Sequence, residues 1–342
     1  MLQNPSVMKD AAPSLDAIPA ALPQLGERLG AYELLRVIGR GGMATVYLGK
    51  RSADGAEVAL KVLHPTFVIE RSGVRRFLAE AAIAERVQSP HLIRVFDSGQ
   101  TPFGLPYLVM EYLEGQDLMC AIGRGRPAPI PFVMELAWQL SDALAAVHGA
   151  GLVHRDLKPS NVFVTVGGVV KLLDFGMAKD LRQVTEFTEP GMFLGTPEYA
   201  SPEQFTAPTT VDVRSDLFSF GALLYRCIAG RLPFIGTTPL EIVIAVVNSR
   251  PPCLRTLTPD VPPRLASLVA RLLMKKPEAR LPSAAALRDE LEAIGDGNQR
   301  SPRSDLLQEI LRGNGAQPGS ERSGLRPMHS DMGNLGPPAP GA

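Results

Sequence analysis

The run His154-Arg155-Asp156-Leu157-Lys158-Pro159-Ser160-Asn161, followed after an apolar stretch by Asp174-Phe175-Gly176, constrains this chain more than any other part of it. Residues 163–166 and 169–173 are β-prone and are separated by Gly167-Gly168, a pattern that predicts a hairpin. That hairpin would fold Asp174 back toward Asp156 and Asn161. Carboxylate and carboxamide oxygens gathered at one point suit Mg²⁺, a hard cation that takes oxygen ligands and keeps some of its waters. Asp156 is then left as a base or positioner for a hydroxyl, and Lys158 offers a point charge for a phosphate. A metal, a phosphate and a hydroxyl acceptor held together point to phosphoryl transfer, in which catalysis is mostly positioning and charge stabilisation.

Composition narrows the partners. Across 342 residues, Lys+Arg and Asp+Glu balance at 35 each, so no large net field favours nucleic acid or a membrane as the general partner. Cys120, Cys227 and Cys253 lie far apart and are odd in number, which argues against a zinc site or a disulfide framework and for a reducing compartment. The first residues lack a continuous apolar core, and no apolar run reaches spanning length, so the expectation is a cytoplasmic chain without a membrane span. Residues 1–31 read as a flexible extension, and residues 295–342 as a largely disordered tail with a short helix over 304–312. In that helix Leu306, Leu307, Ile310 and Leu311 share one side.

Between these ends the periodicity changes once. Residues 32–38, 45–48, 57–63, 92–96 and 105–111 have strand character, and a helix is expected over 71–88. The glycine-rich Gly39-Arg40-Gly41-Gly42-Met43-Ala44 separates the first two strands, and glycines there let backbone N–H groups approach phosphate oxygens. A dinucleotide fingerprint would open a helix and a Walker A loop would carry Gly-Lys-Ser/Thr; neither occurs. Lys61 sits in an otherwise apolar strand, where an unpaired ammonium is costly. From Ile130 the pattern is helical, with Phe132, Leu136, Leu140, Leu144 and Val147 as a buried stripe, and further helices are expected over 216–230, 240–247, 265–274 and 284–294. Residues 174–203 show no convincing period, and long irregular loops in compact domains are often functional.

The ordered set of motifs over residues 32–294 resembles the protein kinase family, in particular its bacterial, eukaryotic-like Ser/Thr branch. The resemblance implies an α+β, two-lobed fold: a small five-stranded antiparallel sheet lobe with one main helix (about 32–111), and a larger, mainly helical lobe (about 116–294). It implies ATP and Mg²⁺, with Mn²⁺ as an allowed substitute. In those terms Lys61 orients the α and β phosphates, and Glu80, with Glu85 as rival, pairs with it. Asn161 and Asp174 hold metal. Asp156 positions the hydroxyl or accepts its proton, and Lys158 steadies the γ-phosphate. Ile38, Gly39, Arg40, Gly41, Gly42, Met43, Ala44, Val46, Ala59 and Phe163 would line the nucleotide site, with the Glu111 carbonyl and the Leu113 backbone on the base and Met110 at its edge. His154 would be structural and pack against Phe175, Arg155 would read a phosphate, and Asp216 would anchor the catalytic loop. Arg280 would pair with Glu203. Thr185 and Thr188 are the candidates for regulatory phosphorylation, and Thr196 with Lys158 marks Ser/Thr specificity.

Four features depart from the family pattern, the first being that Thr188 lies farther from Gly195-Thr196 than is common. Ala44 stands at the third glycine position, Phe218 where Trp is commoner, and Lys276-Pro277 where Asp-Pro is usual. The expected partners are protein substrates, with self-association for autophosphorylation compatible with that reading. Two rivals are a nucleotide-binding pseudokinase scaffold, against which the intact Lys61, Asp156, Asn161 and Asp174 argue, and a small-molecule kinase, against which residues 195–203 argue.

Overall fold

A computed structural model describes residues 22–69, 86–123, 125–174 and 196–295, the backbone of 179–180, and residues 74, 77, 307 and 308. The N-terminal lobe is built on one antiparallel sheet of β1 (Arg28–Leu29), β2 (Tyr32–Arg40), β3 (Ala44–Arg51), β4 (Glu57–Leu63), β5 (Val95–Gln100) and β6 (Pro106–Glu111), in the order β1-β2-β3-β4-β6-β5. Strand side chains alternate between faces. Val58, Leu60 and Val62 of β4 therefore join Leu34, Tyr47, Tyr107 and Val109 in an outer cluster, while Ala59 and Leu63 join Ile38, Leu48, Leu108 and Met110 in the main core. By the same period Lys61 faces the main core, toward the second lobe.

Two expectations need correction. The sheet has six strands, because β1 precedes Tyr32 and pairs with β2 as Arg28↔Glu33 and Leu29↔Tyr32. Order thus starts before residue 32: the Tyr47 hydroxyl donates to the Pro23 carbonyl at 3.0 Å, and Leu22 packs on the outer cluster. A two-residue strand turning at Gly30 (φ +58°) is too short to leave a periodic signature. The strand expected over 92–96 begins instead at Val95, because Leu92 forms a parallel bridge to Leu172 of the other lobe. Of the helix expected over 71–88, Val74, Phe77 and Arg86 are helical, Val87 and Gln88 are not, and the rest, Glu80 and Glu85 included, lies outside the described residues.

The larger lobe is mainly helical. Pro263–Leu272 is a helix that stops short of the expected residue 274, and Pro239–Asn248 and Ala284–Ile294 are helices where the sequence places them. Ile130–Gly149 buries Phe132, Leu136, Leu140, Leu144 and Val147, as its stripe requires. It is also the one helix among the described residues long and apolar enough to cross a membrane, and its burial in the core accounts for that apolarity. Val213–Ala229 is buried on every side from Ser215 to Tyr225, with Phe218 stacked on Phe234 at 5.9 Å between centroids. Gly230, left-handed at φ +68°, ends it by returning its N–H to the Arg226 carbonyl.

Between the lobes the chain passes from β6 into β7 (Gly115–Asp117), which pairs with β9 (Val162–Thr165) and through it β10 (Val170–Leu172). Gly115 permits this: a Cβ there would lie 2.1 Å from the Val164 carbonyl oxygen. The second lobe is thereby stitched directly to the linker. Leu307, in the tail, is helical, fully buried and part of the main core.

Candidate active site

The loop that starts at His154 is held from beneath by one buried carboxylate. β8 (Leu152–Val153) delivers the chain to His154, whose amide donates to Asp216 Oδ2 at 2.8 Å, and the next amide, of Arg155, donates to Asp216 Oδ1 at 2.8 Å. His148 Nε2 completes the cage at 2.8 Å from Oδ2. Burial alone would raise the Asp216 pKa, but the His148 contact and the backbone donors outweigh it and hold the carboxyl below its ordinary range. Two successive amides can converge on one carboxylate because Arg155 adopts φ +67°, a left-handed conformation costing about 1 kcal/mol in a side-chain-bearing residue. Gln204 Nε2 secures the same residue by donating to the Arg155 carbonyl at 2.9 Å.

His154 is fully buried and structural. Its Nε2 lies 3.1 Å from the Leu173 carbonyl, which can only accept, so that nitrogen carries the proton; Nδ1 then accepts from the Asp156 amide at 3.3 Å. Both ring nitrogens serve the backbone of the two polar loops. The packing partner expected for it, Phe175, lies outside the described residues.

Above this base Asn161, Asp156 and Lys158 converge. Asn161 is completely buried and donates from Nδ2 to the Asp156 carbonyl at 2.8 Å and to Asp156 Oδ2 at 3.1 Å. Lys158 Nζ lies 2.8 Å from the same Oδ2. The predicted hairpin is present as β9 and β10, closed by the Thr165 amide on the Val169 carbonyl at 2.9 Å, with Gly168 at φ +75°. Its open end is fastened by the Leu173 amide on the Asn161 carbonyl at 2.8 Å, which sets Asp174 beside the loop. Asp174 takes φ +56°, and its Oδ1 lies 3.5 Å from Lys61 Nζ of the other lobe.

The donor set fits a hard divalent cation. Asn161 Oδ1 is buried without a hydrogen-bond partner among the described residues, its amide end being fully used by Asp156. An orphaned buried carbonyl oxygen is costly unless something else satisfies it, and the Asp174 carboxylate across the loop supplies the negative charge such an ion needs.

The glycine-rich turn lies between β2 and β3 of the first lobe. Gly39 and Arg40 end β2, and residues 41–43 make the turn into β3, with the Gly41 amide on the Ala44 carbonyl at 2.9 Å. None of Gly39, Gly41 and Gly42 is left-handed, and a Cβ at Gly42 would meet nothing within 4 Å. Neither backbone conformation nor internal packing demands glycine at 42, so any demand comes from close approach of something outside the chain. Ala44, at the position where the family carries its third glycine, is a regular strand residue opposite Leu63 with its methyl buried. Ile38, Ala59 and Met110 are buried in the main core, with Met43, Val46 and Leu113 packed against it. Phe163 is buried beneath the linker, its ring 2.9 Å from where a Gly115 Cβ would stand.

The anchoring pair in the second lobe forms. Arg280 Nη1 and Nη2 donate to the Glu203 oxygens at 2.6 and 2.8 Å, while its remaining donors take the Met274, Lys275 and Arg214 carbonyls. Burial would raise the Glu203 pKa, but Arg280 and the Ser215 hydroxyl bring it below its ordinary value. The Lys276-Pro277 departure leaves this contact intact. Thr196 opens the segment leading to Glu203; Thr185 and Thr188 lie outside the described residues.

Residues 32–291 match the family described as the protein kinase domain. The chain belongs to that family. The kinase domain is similar to the serine/threonine-protein kinase Pkn1 of Myxococcus xanthus, at 39% identity over 80% of this chain and 40% of that protein. It is also similar to PksC of Streptomyces coelicolor, at 38% identity over 80% of this chain and 51% of that protein, and to PknB of Mycolicibacterium smegmatis, at 35% over 78% and 43%. The chain thus spans roughly 40 to 50% of the length of these relatives.

Several residues that shape the kinase domain's site escape a reading of the sequence. His148 reaches Asp216 from 68 residues away, and Gln204 reaches Arg155 from 49; no local pattern links either pair. Lys171 did carry a signal. It lies in an apolar strand, as Lys61 does, and it is paired: Nζ is 2.7 Å from Glu111 Oε1 and 3.3 Å from the Leu92 carbonyl, while Glu111 Oε1 also accepts the Arg94 amide at 2.8 Å. This part-buried pair ties the end of β6 to β10, the strand that leads to Asp174.

Proposed function

We propose that this chain transfers the γ-phosphoryl group of ATP to serine and threonine hydroxyls of proteins. The observation that carries the reading is the convergence of Lys61 from one lobe with Asp174, Asn161, Asp156 and Lys158 from the other. Phosphoryl transfer requires that arrangement: cations on the phosphates, and a carboxylate facing the incoming hydroxyl. The family membership and the names of the relatives support it.

Lys61, steadied by Asp174, holds the α and β phosphates. Asn161 Oδ1 and the Asp174 carboxylate are the groups that would hold Mg²⁺, which supplies charge neutralisation along the triphosphate. Asp156 presents its carboxylate to the substrate hydroxyl in a fixed direction, because Oδ2 is pinned by Lys158 and Asn161 while Oδ1 is left for the hydroxyl proton. Lys158, already beside Asp156, neutralises the transferring group. The Glu111 carbonyl and Leu113 backbone receive adenine, with Ile38, Ala59, Met110 and Phe163 as its apolar walls. Arg155 has a buried Nε without a partner among the described residues, which suits a phosphate on Thr185 or Thr188. Substrates are proteins, presented along the segment that begins at Thr196.

The test is intact-mass measurement after incubation with Mg-ATP. The wild-type chain is expected to gain phosphoryl groups that map to Thr185 or Thr188, and Asp156→Asn to gain none. Wild-type protein that binds Mg-ATP yet gains no phosphate, and phosphorylates no general protein substrate, would favour the scaffold reading.

A further inference from the structure

We infer that His64 is a positioning residue that fixes the orientation of the glycine-rich turn and thereby sets affinity for the phosphate portion of the nucleotide; the inference rests on the kinase reading of that turn. His64 follows β4 and lies under the turn between β2 and β3. Two contacts leave it for that turn and a third for the strand that follows. Its amide donates to the Met43 carbonyl at 2.8 Å, its ring Nδ1 lies 3.0 Å from the Gly42 carbonyl, and its Nε2 lies 2.9 Å from Thr45 Oγ1.

The chemistry of the partners settles the direction of each bond. A carbonyl only accepts, so Nδ1 carries the proton and donates to Gly42; Nε2 is then the acceptor, and the Thr45 hydroxyl donates to it. Thr45 is 1% exposed and sits in the regular ladder of β3 opposite Val62, so it is a rigid post for the ring. Gly42, by contrast, is exposed and a Cβ there would meet nothing within 4 Å, so its peptide is held by hydrogen bonds rather than by side-chain packing. The peptide unit is planar and trans, with C=O and N–H pointing in opposite directions. Tying the Gly42 carbonyl to the imidazole therefore fixes the direction of the Met43 N–H as well. A turn whose function is to offer backbone N–H groups to an anion gains from having that direction set before the anion arrives, because the ordering cost is already met.

The arrangement separates two contributions that a general loss of stability would not. Phosphates are the only part of the nucleotide expected to respond to the turn, whereas the base is received by the linker after β6. We would measure binding of Mg²⁺ plus a non-hydrolysable ATP analogue, and of adenosine alone, by calorimetry on the full chain. His64→Leu removes both ring bonds and is expected to weaken the triphosphate about fivefold, the loss of roughly one net hydrogen bond, while adenosine affinity holds. His64→Asn places an amide N–H close to the Nδ1 position and is expected to restore most of the difference. Thr45→Val keeps the ring but removes its post and is expected to shift the triphosphate in the same direction by less, and it decides the matter should His64→Leu fail to fold. Equal weakening of both ligands, or no change in either for the two variants, would overturn the inference. Wild-type protein that binds neither ligand would instead sink the nucleotide reading and the inference with it.

Discussion

Lys61 Nζ and Asp174 Oδ1 stand 3.5 Å apart, although one belongs to the central sheet of the first lobe and the other to the end of a hairpin in the second. Their side chains are 17% and 30% exposed, so the pair is largely shielded from solvent. Lys61→Met keeps most of the stem and removes the charge. Phosphotransfer is expected to fall on the order of a hundredfold or more, with the thermal midpoint close to wild type, as checked by steady-state kinetics beside a melting curve.

Asn161 has two jobs that one substitution can separate from Lys61. Asn161→Ala removes both the buried Oδ1 and the two donations that orient Asp156. The Mg²⁺ concentration for half-maximal activity is expected to rise on the order of tenfold, and kcat to fall even at saturating metal. A Mg²⁺ titration at fixed ATP checks this, and an unchanged half-saturation point would remove Asn161 from the metal site.

Asp216 gives the stability a definite pH dependence. Its folded pKa is below the ordinary 3.8, so it contributes stability that is complete above that value and is lost as pH falls through the lower folded value. Glu203, depressed from 4.5 by Arg280, acts in the same direction. Urea midpoints measured between pH 7 and pH 3 should therefore drop most steeply in the acid part of that range. Asp216→Asn should be less stable at pH 7 by about 3 kcal/mol and should show a shallower acid fall.

The Arg280–Glu203 pair is buried and saturated, with the arginine side chain wholly out of solvent. Removing one member strands the other. Arg280→Met should cost about 3–5 kcal/mol, whereas adding Glu203→Gln should recover part of that loss, giving a coupling that a double-mutant cycle of urea midpoints detects.

Leu307 tests the docking of the tail. It is fully buried in the main core, so Leu307→Ala should cost about 3 kcal/mol. A change within a few tenths of that for a surface substitution would show that the segment leaves the body in solution.

The parts of the site legible in the sequence are those whose chemistry lies close along the chain. Asp156, Lys158 and Asn161 sit within one loop, and Gly167-Gly168 announces the turn that returns Asp174 to them. Lys61 was legible as a charge in an apolar strand. The supports were not, because they join distant elements: His148 to Asp216, Gln204 to Arg155, His64 to the turn at Gly42. A two-residue strand such as Arg28–Leu29 carries no period to read, and the β5 boundary moved because Leu92 found a partner in the other lobe. Lys171 could have been found by the argument applied to Lys61, since both place an ammonium among apolar strand residues where only a paired charge is tolerable.

The most direct measurement follows label from ATP into a general protein substrate, comparing [γ-³²P]ATP with [α-³²P]ATP in the presence of Mg²⁺. The account predicts label on serine or threonine from the γ position alone, and none with Asp156→Asn. Wild-type protein that binds the nucleotide tightly but leaves the substrate unlabelled would contradict it.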